Sequence, residues 1–183
     1  MATVKLETLT EYQKRTKKEW PDSLQCARGN VKRELKAAFP KVKFSIRTSR
    51  FSGGNDLTVE WTDGPTKKQV DEIINQYSGG SFDGMIDLYE YNTGDARSFT
   101  NTYGSAKYVS STRNHSREAL QKAADEVAKK WNVEVPEVKI SDYDGHAYIS
   151  DEGLNVSTHD QTWDSYWMAR QVINRTVSEQ VSA

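Results

Sequence analysis

Few residues in this chain are placed to do covalent chemistry. Cys26 is the single cysteine, so no internal disulfide and no Cys-based zinc site can form. It sits beside Leu24 and Ala27 on a helical pattern, where a small buried thiol is the ordinary outcome. Asp142, Asp144 and His146 bracket an Asp-Gly turn, and His159-Asp160 precedes Asp164. Oxygen and imidazole donors at such spacing suit a metal, yet Asp144-Gly145 is what a hairpin needs, and Gly145 comes too early for a calcium loop. The expectation is no metal and no cofactor. The glycine pairs 53–54 and 79–80 lack the Gly-Lys-Ser/Thr ending of a phosphate loop, and no Gly-x-Ser-x-Gly elbow occurs. Enzymatic activity is unsupported rather than excluded.

Binding chemistry is better represented. Residues 1–50 hold thirteen Lys or Arg against five Asp or Glu, a balance of +8, while residues 51–100 stand at −6, 101–150 at zero and 151–183 at −3. The formal total of −1 conceals a basic front and an acidic remainder. Lys41, Lys43, Arg47 and Arg50 fall on or beside a strand, and Arg28, Lys32, Arg33 and Lys36 on the helix before it. Several cations on one surface are what phosphates require. Phe51 or Trp61, if exposed, would stack on an unpaired base. These eight cations are the candidate nucleic-acid or partner-binding residues. The acidic stretch Asp83, Asp87, Glu90 and Asp95 is weighed as a DNA mimic, but −1 overall falls short of that role and solubility explains it. Trp163, Tyr166, Trp167 and Arg170 wrap a C-terminal helical pattern more broadly than one buried stripe needs, which marks a second candidate partner surface.

The elements that must carry these groups follow from periodicity. Residues 5–19 are compatible with a polar helix that Pro21 ends. Leu24, Ala27, Val31, Leu35 and Ala38 stripe a second helix, capped by Asp22 or Ser23 and stopped by Pro40. Val42, Phe44 and Ile46 alternate with polar residues, as do Leu57, Val59 and Trp61, around a turn read over Ser52–Asp56. Val70, Ile73, Ile74 and Tyr77 line a third helix, and Met85 to Tyr91 reads as a strand. Residues 93–112 read as a long loop or a weak strand around Ala106–Ser110. Ser116 opens a helix carrying Leu120, Ala123, Val127 and Trp131 inward, then Val138 and Ile140 pair with Tyr148 and Ile149. A last helix is expected from about Thr162.

The fold class is therefore α+β, small antiparallel sheets packed by helices, in the order α-α-β-β-α-β then α-β-β-α. The expected organisation is an N-terminal basic helix (1–21), an α-β-β-α-β module (22–92), a polar connector (93–115) and a C-terminal unit (116–183). The 183 residues suffice for one domain or two small units. Hydrophobic residues are 36%, charged 28% and aromatic 10%, too aromatic for a disordered chain. No apolar run approaches the ~20 residues of a membrane span, and Lys5, Glu7 and Glu11 interrupt any signal peptide after Met1. A cytoplasmic protein in its host cell is expected.

One stretch is specific. Val31-Lys32-Arg33-Glu34-Leu35-Lys36-Ala37-Ala38-Phe39-Pro40, Lys43-Phe44-Ser45-Ile46-Arg47, Gly53-Gly54, Val59-Glu60-Trp61-Thr62-Asp63-Gly64-Pro65-Thr66 and Phe82-Asp83-Gly84-Met85-Ile86-Asp87 together resemble the twenty-ninth class of large polyvalent protein-associated domain, over roughly residues 30–92. That resemblance implies an origin in phages or conjugative elements and a role in overcoming or steering host systems, and it brings no catalytic residues with it. The leading expectation is a binding protein that antagonises a host defence system, such as a CRISPR or restriction nuclease. The alternative is a nucleic-acid-binding accessory of replication or transfer, with DNA or RNA as partner. A second copy of the chain is a further candidate partner, and a membrane is not.

Overall fold

The computed structural model describes residues 4–85, 87–131, 137–143 and 145–149. They divide into two compact units, one reaching to Trp61 and resuming over Lys67–Thr112, the other combining Thr62–Thr66 with the described residues from Arg113 onward.

In the first unit the chain opens with a short helix, α1 (Leu9–Thr16). Thr8 Oγ1 accepts from Glu11 N while Glu11 Oε2 accepts from Thr8 N, a capping box that satisfies two orphan donors. Helix α2 (Ser23–Ala38) starts at Asp22, whose carboxylate accepts from Gln25 N at 3.2 Å. Its stripe of Leu24, Ala27, Val31 and Leu35 is buried, as the spacing predicts. Strands β1 (Phe44–Phe51) and β2 (Gly54–Thr62) pair antiparallel with Phe44 opposite Trp61 and Phe51 opposite Gly54. The register puts Phe44, Ile46 and Thr48 on the face of Trp61, Val59 and Leu57, the face that α2 covers. Trp61 is 2% exposed and packs on Phe44, so it is core, and the base-stacking role considered for it does not hold.

The turn between these strands is tighter than Ser52–Asp56 implied. Only Ser52 and Gly53 lie outside the ladder. Asn55 and Asp56 read as turn residues, yet both sit in β2 and bond the backbone of neighbouring segments: Asp56 accepts from Ser49 N at 2.7 Å and Asn55 from Lys107 N at 2.8 Å. Their turn-forming chemistry is spent across strands.

Helix α3 (Lys67–Ile74) runs into a 3-10 turn at Asn75–Tyr77 and buries Val70, Ile74 and Tyr77. Strands β3 (Gly80–Asp83) and β4 (Leu88–Tyr91) form a separate hairpin. The strand read from Met85 starts only at Leu88, because Asp87 takes a left-handed φ of 52° and Met85 is 96% exposed in the turn. Helix α4 (Gly94–Tyr103) replaces the expected loop. Strand β5 (Tyr108–Asn114) is longer than the weak strand expected there and completes a three-stranded sheet in the order β1-β2-β5. Lys107 bonds Asn55, and Ser110 Oγ lies 3.2 Å from Thr58 Oγ1, so partners advance together and β5 runs parallel to β2 after the crossover.

In the second unit, α5 (Arg117–Trp131) packs on a hairpin of β6 (Val138–Ile140) and β7 (Ala147–Ile149), burying Leu120, Ala123, Ala124, Ala128 and Val138. Ser116 Oγ accepts from Ala119 N and caps α5 as expected. Gly145 has φ 71° in the hairpin turn. The architecture is α+β in the expected order, with α4 and the extra strands inserted. The last expected helix, with Trp163, Tyr166, Trp167 and Arg170, lies outside the described residues, as do Asp144, His159, Asp160 and Asp164.

One buried amide joins three of these pieces. Asn30, fully buried on α2, accepts from Glu7 N at 2.8 Å, and its Nδ2 donates to Glu7 O at 2.8 Å and to Tyr103 O at 3.0 Å. Asn30→Ala leaves those backbone groups without partners. It is expected to cost about 3 kcal/mol, read as a lowered urea midpoint with an unchanged slope.

Candidate functional site

The basic front does not form one platform. Arg28, Lys32, Arg33 and Lys36 are exposed on the solvent side of α2, whose other side covers the core face of the sheet. Lys43 and Arg47 alternate with Phe44 and Ile46 and so point from the opposite face, with Lys41 in the turn before β1. Strand alternation sends Lys43 and Arg47 away from the helix that covers β1, whereas Arg50, in register with Ile46 and Thr48, reaches the Asp22 cap of that helix. Several are also engaged. Arg33 pairs with Glu7 at 3.1 Å, Arg47 with Glu60 at 3.3 Å and Arg50 with Asp22 at 2.5 Å, while Arg28 Nε donates to Ile46 O at 3.1 Å. Lys32, Lys36, Lys41 and Lys43 are exposed and form no ion pair among the described residues.

A cleft of about 750 Å³ opens elsewhere on the first unit, within the range of small-ligand sites. The β1–β2 turn and Asn55 supply one wall, Tyr89, Tyr91 and Asn92 another, and Arg97, Thr100 and Asn101 of α4 a third, with Ser105 and Lys107 between them. Two cations and no carboxylate line it. Arg97 is exposed and forms no ion pair among the described residues. Lys107 Nζ donates to Gly53 O at 2.7 Å and lies 5.0 Å from the Tyr89 ring centroid and 5.4 Å from that of Tyr108. Gly54 takes a φ of 152°, and a Cβ there would press on the Lys107 stem, 2.6 Å from its Cδ.

Backbone bonds fix this arrangement. Gly79 N donates to Ala106 O, Ala106 N to Tyr77 O and Asn92 N to Gly79 O, while the Tyr89 hydroxyl donates to Lys107 O at 2.6 Å. The β3–β4 hairpin is thereby tied at its base to the segment that leads into β5. At Gly80 a Cβ would fall 2.1 Å from Glu90 O, so the hairpin closes only over glycine. Sequence reasoning missed the cleft because Arg97, Asn101 and Lys107 lie in the span read as a connector. Phe99 and Tyr103 at i and i+4, closed by Gly104, are the signal that would have found α4.

Other reactive groups serve structure. Cys26 is fully buried, its Sγ donates to Glu7 O, and burial pushes the thiol up to about 11, far from a nucleophile. Ser111 donates to Asp71, and Lys67 Nζ donates to Ser111 Oγ at 2.6 Å and pairs with Asp71 at 2.9 Å. The hydroxyl is thereby held between a carboxylate and an ammonium, joining β5 to α3. His115 is held below the usual imidazole range by burial and by Arg113. Among the described residues no three His, Cys, Asp or Glu side chains converge on a point, and no helix is long and apolar enough to cross a membrane.

The family profile of the large polyvalent protein associated domain 29 matches residues 23–116, just over half of the 183. The chain belongs to this family. The match runs past the 30–92 stretch that carried the resemblance and takes in α4, Lys107 and every residue lining the cleft. Domain 29 membership makes this a protein associated with phages and mobile elements. No curated protein and no solved structure matches the chain.

The Arg33 ion pair has a pH signature. Glu7 sits between Arg15 at 2.6 Å and Arg33, and the hydrogen bond from Arg15, then that from Arg33, holds its carboxyl below the ordinary range against the opposing effect of burial. A depressed folded value contributes stability that is complete above the unfolded carboxyl value of about 4.3 and is lost as pH falls through the folded one. Glu7→Gln is expected to lower the urea midpoint at pH 7, and the gap from wild type should close as pH drops through the acid range below ~4.3.

Proposed function

We propose that this domain 29 protein is a nucleic-acid-binding accessory of a mobile element, acting by binding and not by covalent chemistry. The observation that carries the reading is the cleft, with Lys107 and Arg97 at its walls, two tyrosines between them and no carboxylate in its lining. Phosphate is attracted by cations that internal carboxylates do not already neutralise, and Arg97 meets that condition where Arg33, Arg47 and Arg50 do not. Asn92 and Asn101 add side-chain donors and acceptors of the kind that contact sugars and base edges. Lys43 and Arg47 lie on the sheet face that Tyr108 shares, outside the cleft, and add weaker charge to the approach.

Labelled 20-nucleotide DNA and RNA probes, followed by fluorescence anisotropy at low salt, test this. Binding should weaken as salt rises. Lys107→Met keeps the stem packed on Gly54 and removes the charge, so the slope of log affinity against log salt should fall by about 0.7 for a single strand. Unchanged binding in both Lys107→Met and Arg97→Ala would overturn the reading.

A second reading, antagonism of a host nuclease complex such as a CRISPR or restriction system, is favoured by one observation. Phe82, Met85 and Leu88 stand 53%, 96% and 50% exposed around the β3–β4 turn, an apolar tip of the kind that anchors protein partners. In cells challenged with targeted phage, the protein should then relieve interference and Met85→Glu should abolish that relief. Equal relief by the variant counts against this reading.

A further inference from the structure

Beside the cleft, aromatic rings form a connected row. Phe51 stacks on Tyr108 with centroids 6.1 Å apart and planes at 18°, Tyr108 meets Tyr89 edge-on at 5.7 Å, and Tyr89 meets Tyr91 edge-on at 4.9 Å. Core packing does not account for the two ends, since Phe51 is 50% exposed and Tyr91 72%. The middle is different. Tyr89 is half-buried, and the Lys107 ammonium stands against it and against Tyr108. A positive charge is thus held between two open aromatic ends.

That order matches the order of groups along a single strand, in which π-faced bases alternate with phosphates. A duplex hides its base faces and would use only the cations. We propose that this row is a stacking platform for unpaired nucleotides. One base lies on Tyr91, one or two lie on Phe51 and Tyr108, and the intervening phosphate sits at Lys107, a footprint of about three nucleotides. The assignment rests on the nucleic-acid reading above and specifies the strandedness and the recognition mode of the same site. Glu90 does not oppose it, because in β4 it alternates with Tyr89 and Tyr91 and belongs to the other face of the hairpin.

The test uses the full chain and oligothymidylates of two to twelve nucleotides, with an abasic strand of equal charge and a duplex, which carries more charge per length, as probes. Affinity should climb steeply up to about three nucleotides and then level off. The abasic strand and the duplex should each bind at least tenfold more weakly than single-stranded thymidylate of equal length. Tyr91→Ala and Phe51→Ala should each cost roughly tenfold, in keeping with base–aromatic stacking, whereas Tyr91→Phe should retain binding. Both residues are largely exposed, so circular dichroism should show the parent fold in every variant, and Tyr91→Phe guards against a misfolded comparison. If the abasic or duplex probe binds as well as thymidylate, or if both alanine variants match the parent, the platform is refuted while nucleic-acid binding stands. If no probe binds at low salt, the underlying reading fails as well.

Discussion

The side-chain amide of Asn30 is the contact on which the first unit's arrangement depends. A buried amide is tolerated only when its donors and acceptor are all used. Here they join the extended segment before α1, the middle of α2 and the last turn of α4. Arg33 adds a second bond to the same oxygen and then reaches Glu7, so the charged periphery continues the buried bond. Hydrophobic packing alone would hold α2 on the sheet without fixing where α4 lies along it. Directional bonds to Glu7 and Tyr103 supply that register.

The close approach at Gly104 completes the constraint. With φ at 89°, it ends α4 against the start of α2, where a Cβ would lie 2.4 Å from Ser23 O and 2.8 Å from Ala27 N. Ser23 returns the contact by accepting from Ser105 N at 2.8 Å. From this junction the chain passes directly to Lys107, so the cleft's cation is placed by the packing of two helix ends. Both cations of the cleft, Arg97 and Lys107, are thereby set by one joint.

Periodicity made the frame legible. The α2 stripe, the alternation of Phe44 and Ile46 with Leu57, Val59 and Trp61, and the Ser116 cap are all where local rules put them, because in each case one face is strongly apolar or one cap is unambiguous. Helix α4 was hidden because Gly-Asp-Ala-Arg-Ser-Phe-Thr-Asn-Thr-Tyr offers a single aromatic pair and no stripe, and its Thr93 cap makes no side-chain bond. Its helicity comes from tertiary contact, with Phe99 packed edge-on to Tyr77 and Asn30 holding the end. The basic residues were legible as a set but their distribution was not. A list of charges carries no information on which side of a sheet a helix lands, and Lys43 and Arg47 ended on the far side while Arg50 turned toward the start of α2. The aromatic row is a tertiary product too, because Phe51, Tyr89, Tyr91 and Tyr108 come from three strands in two separate sheets.

Strand β1 lies at a rim of its sheet, and that position gives part of the basic front a purpose apart from any ligand. An open rim invites a strand from another molecule to extend the ladder. Arg28 plugs the Ile46 carbonyl from outside, and Lys43 and Arg47 keep charge along the same border. A second molecule approaching that flank meets like charges and an acceptor already occupied. The cations that lost a place beside the cleft thus lie along the one border where the β1 ladder is open.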